Sequence, residues 1–256
     1  HLSGLMEAAA RDGRDISSFD EFLIGATTVP PALVAASEAL GIRCCRCYGS
    51  TELPTVSQCV GDDPLEKRLS TDGRANPGVG LRIVDDAGAD VPTGQDGEVA
   101  VRGAERFLGY TDPTLNAVSF LPGGWFLTGD IGRLDADGYL AITDRKKDII
   151  IRGGENISSR EVEELVLALP GVAEAAAIGL PDTRMGECVC VVVSLAEGAV
   201  LTLEEINAAF RERGVARQKT PENLVIVEEF PRTPSGKIQK AALREQLGGG
   251  GRRNGG

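Results

Sequence analysis

Histidine is almost absent from this chain: His1, at the terminus, is the sole one. Histidine-based acid–base catalysis and a Ser-His-Asp hydrolytic triad are therefore excluded as the chemistry of these residues. Lysine, arginine, carboxylates, hydroxyls, backbone amides or a bound ion must do whatever work is done. Aromatic residues are also scarce, at 4% of 256 residues, whereas glycine numbers 33. That balance predicts many turns and close backbone contacts and argues against a helical bundle. Positive charge is in deficit, with 27 Lys and Arg against 38 Asp and Glu, a formal net charge of −11. A general attraction to nucleic acid is disfavoured by that sign. No apolar run is long enough to form a transmembrane segment, and the first residues do not resemble a signal peptide.

Two common nucleotide signatures are missing as well. Ser235-Gly236-Lys237 lacks the Gly-x-x-x-x-Gly-Lys-Ser/Thr spacing of a phosphate loop, and no Gly-x-Gly-x-x-Gly segment follows a strand. The six cysteines are Cys44, Cys45, Cys47, Cys59, Cys188 and Cys190. Cys44 and Cys47 have zinc-knuckle spacing but no second half, so buried thiols are the expected state. Unpaired thiols fit a reducing, cytoplasmic location.

The hydrophobic content of 42% suits globular cores, and the length allows two domains. Pro30 to Leu40 reads as a helix opened by proline, and Ile42 to Cys47 as a strand entering a turn at Tyr48-Gly49. This α/β pattern places a loop at the carboxyl end of a strand, where such sheets usually bind ligands. Between residues 76 and 143 the pattern changes to short strands at Val79–Val84 and Gly97–Arg102. A hairpin from Asp130–Leu134 to Tyr139–Thr143 follows, turning at Asp135-Ala-Asp-Gly138. A small antiparallel sheet or partial barrel is expected there. Beyond Lys147, Ser158 with Glu161 and Thr202 with Glu205 have capping-box spacing before amphipathic helices. Val172–Ile178, Cys188–Val193 and Asn223–Val227 are strand candidates, giving a compact α+β domain. The expected organisation is an α/β part over 1–75, a β-rich part over 76–146, an α+β domain over 147–247 and a flexible glycine-rich tail over 248–256.

Four segments carry candidate chemistry. In Tyr48-Gly-Ser-Thr-Glu52, the ring is either a buried aromatic before a tight turn or a flat wall for adenine. Gly49 permits close backbone approach, Thr51 can hydrogen-bond a phosphate oxygen, and Glu52 can hold Mg2+, a hard cation that prefers oxygen. Asp130, after Gly124-Trp-Phe-Leu-Thr-Gly129, is either a solvated turn carboxylate or an acceptor for two ribose hydroxyls. Arg145 can contact the same ribose or a phosphate, or make a surface salt bridge. Arg152-Gly-Gly-Glu-Asn156 is a glycine-bent connection or a channel for a narrow thiol ligand, and spacing does not separate the two. Lys237, in Pro231-Arg-Thr-Pro-Ser-Gly-Lys237, is a point charge on a glycine-bearing loop. Such a charge can stabilise a carboxylate attacking an α-phosphate.

In this order and spacing, the four segments resemble the C-terminal half of an AMP-forming acyl-CoA synthetase of the adenylate-forming superfamily. The resemblance runs from about residue 15 to residue 247. It implies a partial large AMP-binding domain followed by a mobile small domain. It implies that Gly25 and Ala26 lie beside adenine, with Tyr48 stacking and Gly49 and Ser50 shaping that wall. Thr51 would contact phosphate, Glu52 Mg2+, and Asp130 the ribose with Arg145 nearby. Lys237 would be the adenylation lysine, Lys147 the hinge, and Gly154 the glycine lining the pantetheine channel.

The implied reaction joins a carboxylic acid to ATP, forming acyl-AMP, and then transfers the acyl group to coenzyme A. A hydrophobic acid, fatty or alicyclic, is favoured because no cationic group near Tyr48–Thr55 would pair with a second carboxylate. Loading of a carrier-protein thiol by a stand-alone adenylation protein, and a noncatalytic scaffold, are the rival readings. Nothing in these residues specifies a luciferin, which disfavours light emission. Members of the superfamily are about twice this length, and their phosphate loop lies upstream. The chain is accordingly expected to be a fragment, inactive or weak alone and self-associating through an exposed large-domain surface, as a homodimer or larger.

Overall fold

The computed structural model describes residues 2–25, 29–234 and 236–248, and the chain divides into two compact units, His1–Ile142 and Thr143–Gly256. In the first unit, α1 (Leu2–Asp12) precedes β1 (Glu21–Ile24), α2 (Pro31–Ala39) and β2 (Arg43–Tyr48). Pro31 sits in the first turn of α2, where its missing N–H costs nothing. The β1–α2–β2 segment closes a parallel strand pair with Glu21 opposite Arg43 and Ile24 opposite Arg46. Two short strands, β3 (Ser57–Gln58) and β4 (Arg74–Ala75), flank α3 (Leu65–Ser70) and complete a sheet in the order β1-β2-β3-β4. Gly73, at φ 84°, must be glycine: a Cβ there would lie 1.8 Å from the backbone carbon of Gln58.

The β-rich part follows as β5 (Gly80–Val84), β6 (Gly97–Arg102), α4 (Pro113–Ser119), β7 (Phe120–Leu121), β8 (Trp125–Leu134) and β9 (Leu140–Arg145). Its sheet runs β5-β6-β8-β7, with β9 also paired to β8. The expected hairpin is present. Asp135 Oδ1 accepts the amides of Asp137 and Tyr139, and Gly138 turns at φ 81°. Leu53 and Val56, from the loop after β2, pack with Ile83, Val99, Val101, Phe126 and Leu140, so one core lies under both sheets.

In the second unit, β10 (Ile150–Arg152), β11 (Glu155–Ile157), α5 (Ser159–Leu167), β12 (Val172–Asp182), β13 (Gly186–Leu195), α6 (Leu203–Glu212), β14 (Asn223–Ile226) and α7 (Lys240–Gly248) form the expected α+β arrangement. The sheet order is β11-β10-β13-β12, with β14 parallel to β13. Both faces of its centre are covered. Val189, Val191 and Val193 pack against Val162 and Val166 of α5 and Ile206 and Phe210 of α6. Cys190 and Val192 pack against Phe230 and Leu243. Burial on both faces explains why the strand reads as a continuous apolar run.

Three sequence expectations change in detail. The units divide at Ile142/Thr143, not at 146/147. The reason is local: Asp144 is buried and bound by the N-terminus of α5, which draws the end of β9 into the second unit. The capping box at Thr202–Glu205 is complete, whereas at α5 Ser158 accepts the Glu161 amide and the Glu161 carboxylate turns to Lys219, 2.7 Å away. Gly248 closes α7, and the rest of the expected tail lies outside the described residues.

Candidate active site

β2 delivers Tyr48 to the carboxyl end of its parallel pair, beside a tight turn. Ser50 shapes that turn by accepting the amides of Glu52 and Leu53, at 3.2 and 3.3 Å, while its own amide donates to the Leu53 carbonyl. Gly49 has a structural necessity: a Cβ would fall 1.9 Å from the Pro54 carbonyl oxygen. Gly25, just past β1, faces a similar limit, with Cys47 Sγ 2.5 Å from the position of a Cβ. Ala26 lies outside the described residues. Thr51 is exposed at the tip of the turn.

Asp130 reaches the same place from β8 by a backbone irregularity. Ala100 pairs with Leu127 and Glu98 with Ile131, so Thr128, Gly129 and Asp130 face Val99 alone as a bulge. Thr128 Oγ1 accepts the Asp130 amide and donates to the Val99 carbonyl, and the buried Glu98 accepts the amide of Gly129, which has φ 72°. Bulges commonly re-aim a side chain in this way. Here the bulge sets Asp130, 4% exposed, against Tyr48, whose hydroxyl donates to Asp130 Oδ2 at 2.6 Å. The Tyr48 ring is half-buried.

Glu52 is held by partners that spacing did not reveal. The Tyr110 hydroxyl donates to Glu52 Oε1 at 2.9 Å, and the Glu52 carbonyl accepts the Phe107 amide at 2.7 Å. Phe107, Tyr110, Phe120 and Phe126 stack or meet edge-on, with centroids 4.9–6.4 Å apart. Four of the chain's eleven aromatics thus cluster beside this carboxylate. Burial, with the Glu52 contact adding to it, pushes the Tyr110 phenol up, which keeps it a donor. A half-buried carboxylate is a hard oxygen donor of the kind Mg2+ prefers, and that ion takes few protein ligands and completes its shell with phosphate oxygens and water. No cluster of three potential metal ligands occurs among the described residues.

Behind the site, Arg46 forks onto Asp72 Oδ1 at 2.8 and 3.1 Å, and Asp72 Oδ2 accepts the Ile142 amide at 2.9 Å. This buried pair joins β2 to β9. Five of the six cysteines are buried, and all six are unpaired. Burial raises each thiol, with Cys45 and Cys190 pushed up to about 12, so none is a ready thiolate nucleophile.

The remaining candidates belong to the second unit. The Arg145 amide donates to Asp144 Oδ1, and its side chain is exposed. Lys147 is exposed in a 3-10 turn over Lys146–Asp148. Gly153 and Gly154, with φ 60° and 84°, form the two-residue turn of the β10–β11 hairpin, which identifies Arg152–Asn156 as a strand-to-strand connection. A Cβ on Gly153 would lie 2.5 Å from Met185 Cε, whereas one on Gly154 would meet nothing within 4 Å. Lys237 is exposed on a closed loop: its carbonyl accepts the Thr233 amide at 2.8 Å and its amide donates to Thr233 Oγ1 at 3.1 Å.

A sequence model of AMP-binding enzymes matches residues 2–111, and one of the AMP-binding enzyme C-terminal domain matches residues 161–237. A medium-chain fatty-acid–CoA ligase of Escherichia coli is 44% identical over 245 residues, spanning 95% of this chain and 43% of the relative. An indoleacetate–CoA ligase of Aromatoleum aromaticum is 38% identical, spanning 90% of this chain and 45% of the relative. The crystal structure of ATP-bound MatB from Rhodopseudomonas palustris superposes with a TM-score of 0.82 at 32% identity, over 89% of this chain and 45% of that one. The chain therefore spans less than half the length of these relatives.

Proposed function

The chain belongs to the AMP-binding, adenylate-forming enzyme family, and from that premise we propose that the whole protein is an AMP-forming acid–CoA ligase. The observation that carries this reading is the buried Asp130 carboxylate, aimed by a bulge at the carboxyl end of β2 and touched by Tyr48. A carboxylate so placed is suited to accept both hydroxyls of a ribose, with the Tyr48 ring against the base and Gly25, Gly49 and Ser50 beside it. The ATP-bound structural relative supports ATP as the nucleotide. Thr51, exposed at the turn, would donate to a phosphate oxygen. Glu52 would hold Mg2+, which supplies neutralisation of phosphate charge when bound.

In the first step, a carboxylate oxygen of the acid attacks the α-phosphorus of ATP. A P–O bond forms, the bond to the β-phosphate oxygen breaks, and pyrophosphate leaves. The Lys237 ammonium offsets the negative charge that gathers there. In the second step, the thiol of coenzyme A loses its proton and attacks the acyl carbonyl, and AMP leaves. Lys147 is the hinge about which the second unit turns between the steps, Arg145 contacts the ribose, and Gly154 flanks the thiol's path. A hydrophobic monocarboxylic acid, fatty or alicyclic, is the proposed substrate. It rests on the uncharged Leu53-Pro-Thr55 boundary and on the fatty-acid ligase among the relatives. Six unpaired cysteines favour a cytoplasmic setting.

ATP–pyrophosphate exchange by the whole protein, across a panel of fatty, alicyclic, aromatic and dicarboxylic acids, tests the reading. Exchange with hydrophobic monoacids, followed by AMP release with coenzyme A, is the expected outcome. Failure of every acid to support exchange would overturn it. Thioester formed on a holo-carrier protein but not on coenzyme A would move the acceptor to a carrier.

A further inference from the structure

Lys237 has a neighbour that the reaction above leaves unused. Three residues later, at the first position of α7, Lys240 turns inward, and its side chain is only 16% exposed. Its ammonium lies 2.6 Å from Glu163 Oε1, whose side chain is also 16% exposed, and donates to Ser159 Oγ at 2.8 Å. Glu163 Oε1 accepts the Ala177 amide of β12 at 2.8 Å as well. Ser159, fully buried, hydrogen-bonds Asp144 Oδ1 at 3.2 Å, and Asp144 also accepts from Ser158 Oγ and the amides of Arg145 and Arg160. One turn further along α7, Arg244 reaches Asp148 Oδ1 at 2.9 Å. A continuous polar network thus runs from the base of the Lys237 loop through α5 to the 144–148 segment.

The described residues that flank Lys237 are tied to one another and to the start of α7. Thr233 binds Gly236 and Lys237 through three hydrogen bonds, Arg232 donates to the Gly236 carbonyl, and the Gln239 amide donates to the Pro231 carbonyl. Leu243 packs the next turn of α7 against Ile178, Cys190 and Val192. Loss of the Lys240 anchor would therefore loosen the start of α7 and with it the hydrogen bonds that hold Gly236 and Lys237. Burying a lysine for packing alone is costly, because an apolar residue at the same place would fill the space without desolvating a charge. The charge provides direction: an ammonium shared between a carboxylate and a hydroxyl fixes the start of α7 in both position and rotation.

We propose that Lys240, with Glu163 and Ser159, is a positioning residue that sets Lys237 for the adenylation step, an inference that rests on the role given to Lys237 above. Misplacement of a catalytic group by about 1 Å can cost about a hundredfold in rate. The decisive experiment pairs Lys240→Met and Lys240→Arg with Lys237→Ala in the whole protein. ATP–pyrophosphate exchange, thioester formation from supplied acyl-AMP and thermal melting are read for each. Lys240→Met should lower the exchange kcat by about ten- to a hundredfold with little change in KM for ATP. It should leave thioester formation within about threefold, and Lys240→Arg should recover most of the exchange rate. Hydrogen exchange on the 256-residue chain gives a reading independent of activity: the Gly236 and Lys237 amides should lose protection in Lys240→Met and keep it in Lys240→Arg. Unchanged exchange rate and protection, or equal loss in both half-reactions in step with a lowered melting temperature, would overturn the proposal. Retained adenylation in Lys237→Ala would instead overturn the role of Lys237 and leave the anchor to be judged by amide protection.

Discussion

The hydroxyl of Tyr48 donates to Oδ2 of Asp130 at 2.6 Å, across 82 residues of sequence. One side chain ends a parallel strand and the other rides a bulge in a different sheet, so each fixes the other where a nucleoside is proposed to bind. Tyr48→Phe keeps the ring and removes only this bond. AMP affinity, measured by titration calorimetry, should fall about ten- to a hundredfold, the value of one hydrogen bond to a charged group. Asp130→Ala should weaken binding further. An affinity unchanged in Tyr48→Phe would show that the hydroxyl does not position Asp130.

Lys237 is exposed, and its backbone, not its side chain, closes the loop. Lys237→Ala should therefore leave folding stability within about 0.5 kcal/mol, as for most surface substitutions. Acyl-AMP formation by the whole protein should nevertheless be nearly abolished. Normal acyl-AMP formation in that variant would remove Lys237 from the mechanism.

The adjacent turn glycines make a contrasting pair. Gly153→Ala collides with Met185, while Gly154→Ala meets no atom but strains a residue at φ 84°. The latter should cost about 1–2 kcal/mol, the usual penalty of a left-handed residue with a Cβ. If Gly154 flanks the thiol's path, Gly154→Ala should also slow thioester formation from acyl-AMP while sparing pyrophosphate exchange. Equal rates of thioester formation in variant and parent would leave Gly154 with a turn role alone.

Glu52 offers a metal-linked prediction. Glu52→Gln should raise the Mg2+ concentration needed for half-maximal exchange by about tenfold, and chelation should abolish exchange in the parent. Tyr110→Phe should shift the same midpoint less, since it frees Oε1 without removing the charge. A Mg2+ dependence identical in Glu52→Gln and parent would argue that the metal is held elsewhere.

Acid stability should report on Glu38. The Arg68 guanidinium, forked onto both its oxygens, holds the Glu38 carboxyl below the usual carboxylate range. A depressed carboxylate contributes stability that is complete above its unfolded pKa, about 4.3, and is lost as pH falls through the lower folded value. Glu38→Gln should thus cost about 1–3 kcal/mol near neutrality, and the gap should close as the pH drops below about 4. Chemical denaturation at several pH values would measure it, and a pH-independent gap would contradict the assignment.

Several elements were legible because their causes are local. Thr202 and Glu205 are three residues apart and cap each other on α6, Pro31 opens α2, and Gly138 turns the β8–β9 hairpin. At α5 the same spacing predicted a full capping box, but Lys219, distant in sequence, took the Glu161 carboxylate. The glycines of Tyr48–Glu52 and Arg152–Asn156 announced close approach or positive φ without saying to what. The structure supplies Pro54 for Gly49 and Met185 for Gly153.

The sequence by itself determined the secondary-structure pattern, the order of the four candidate segments and the residue types available within them, because these depend on residue type and short spacing. Only the tertiary structure decided that Tyr48 meets Asp130, that Tyr110 holds Glu52 and that Lys240 anchors on Glu163 and Ser159. Each of those contacts joins residues 58 to 82 positions apart. Such pairs are fixed by sheet order, a bulge and burial of charge, and these exist only once the chain has folded.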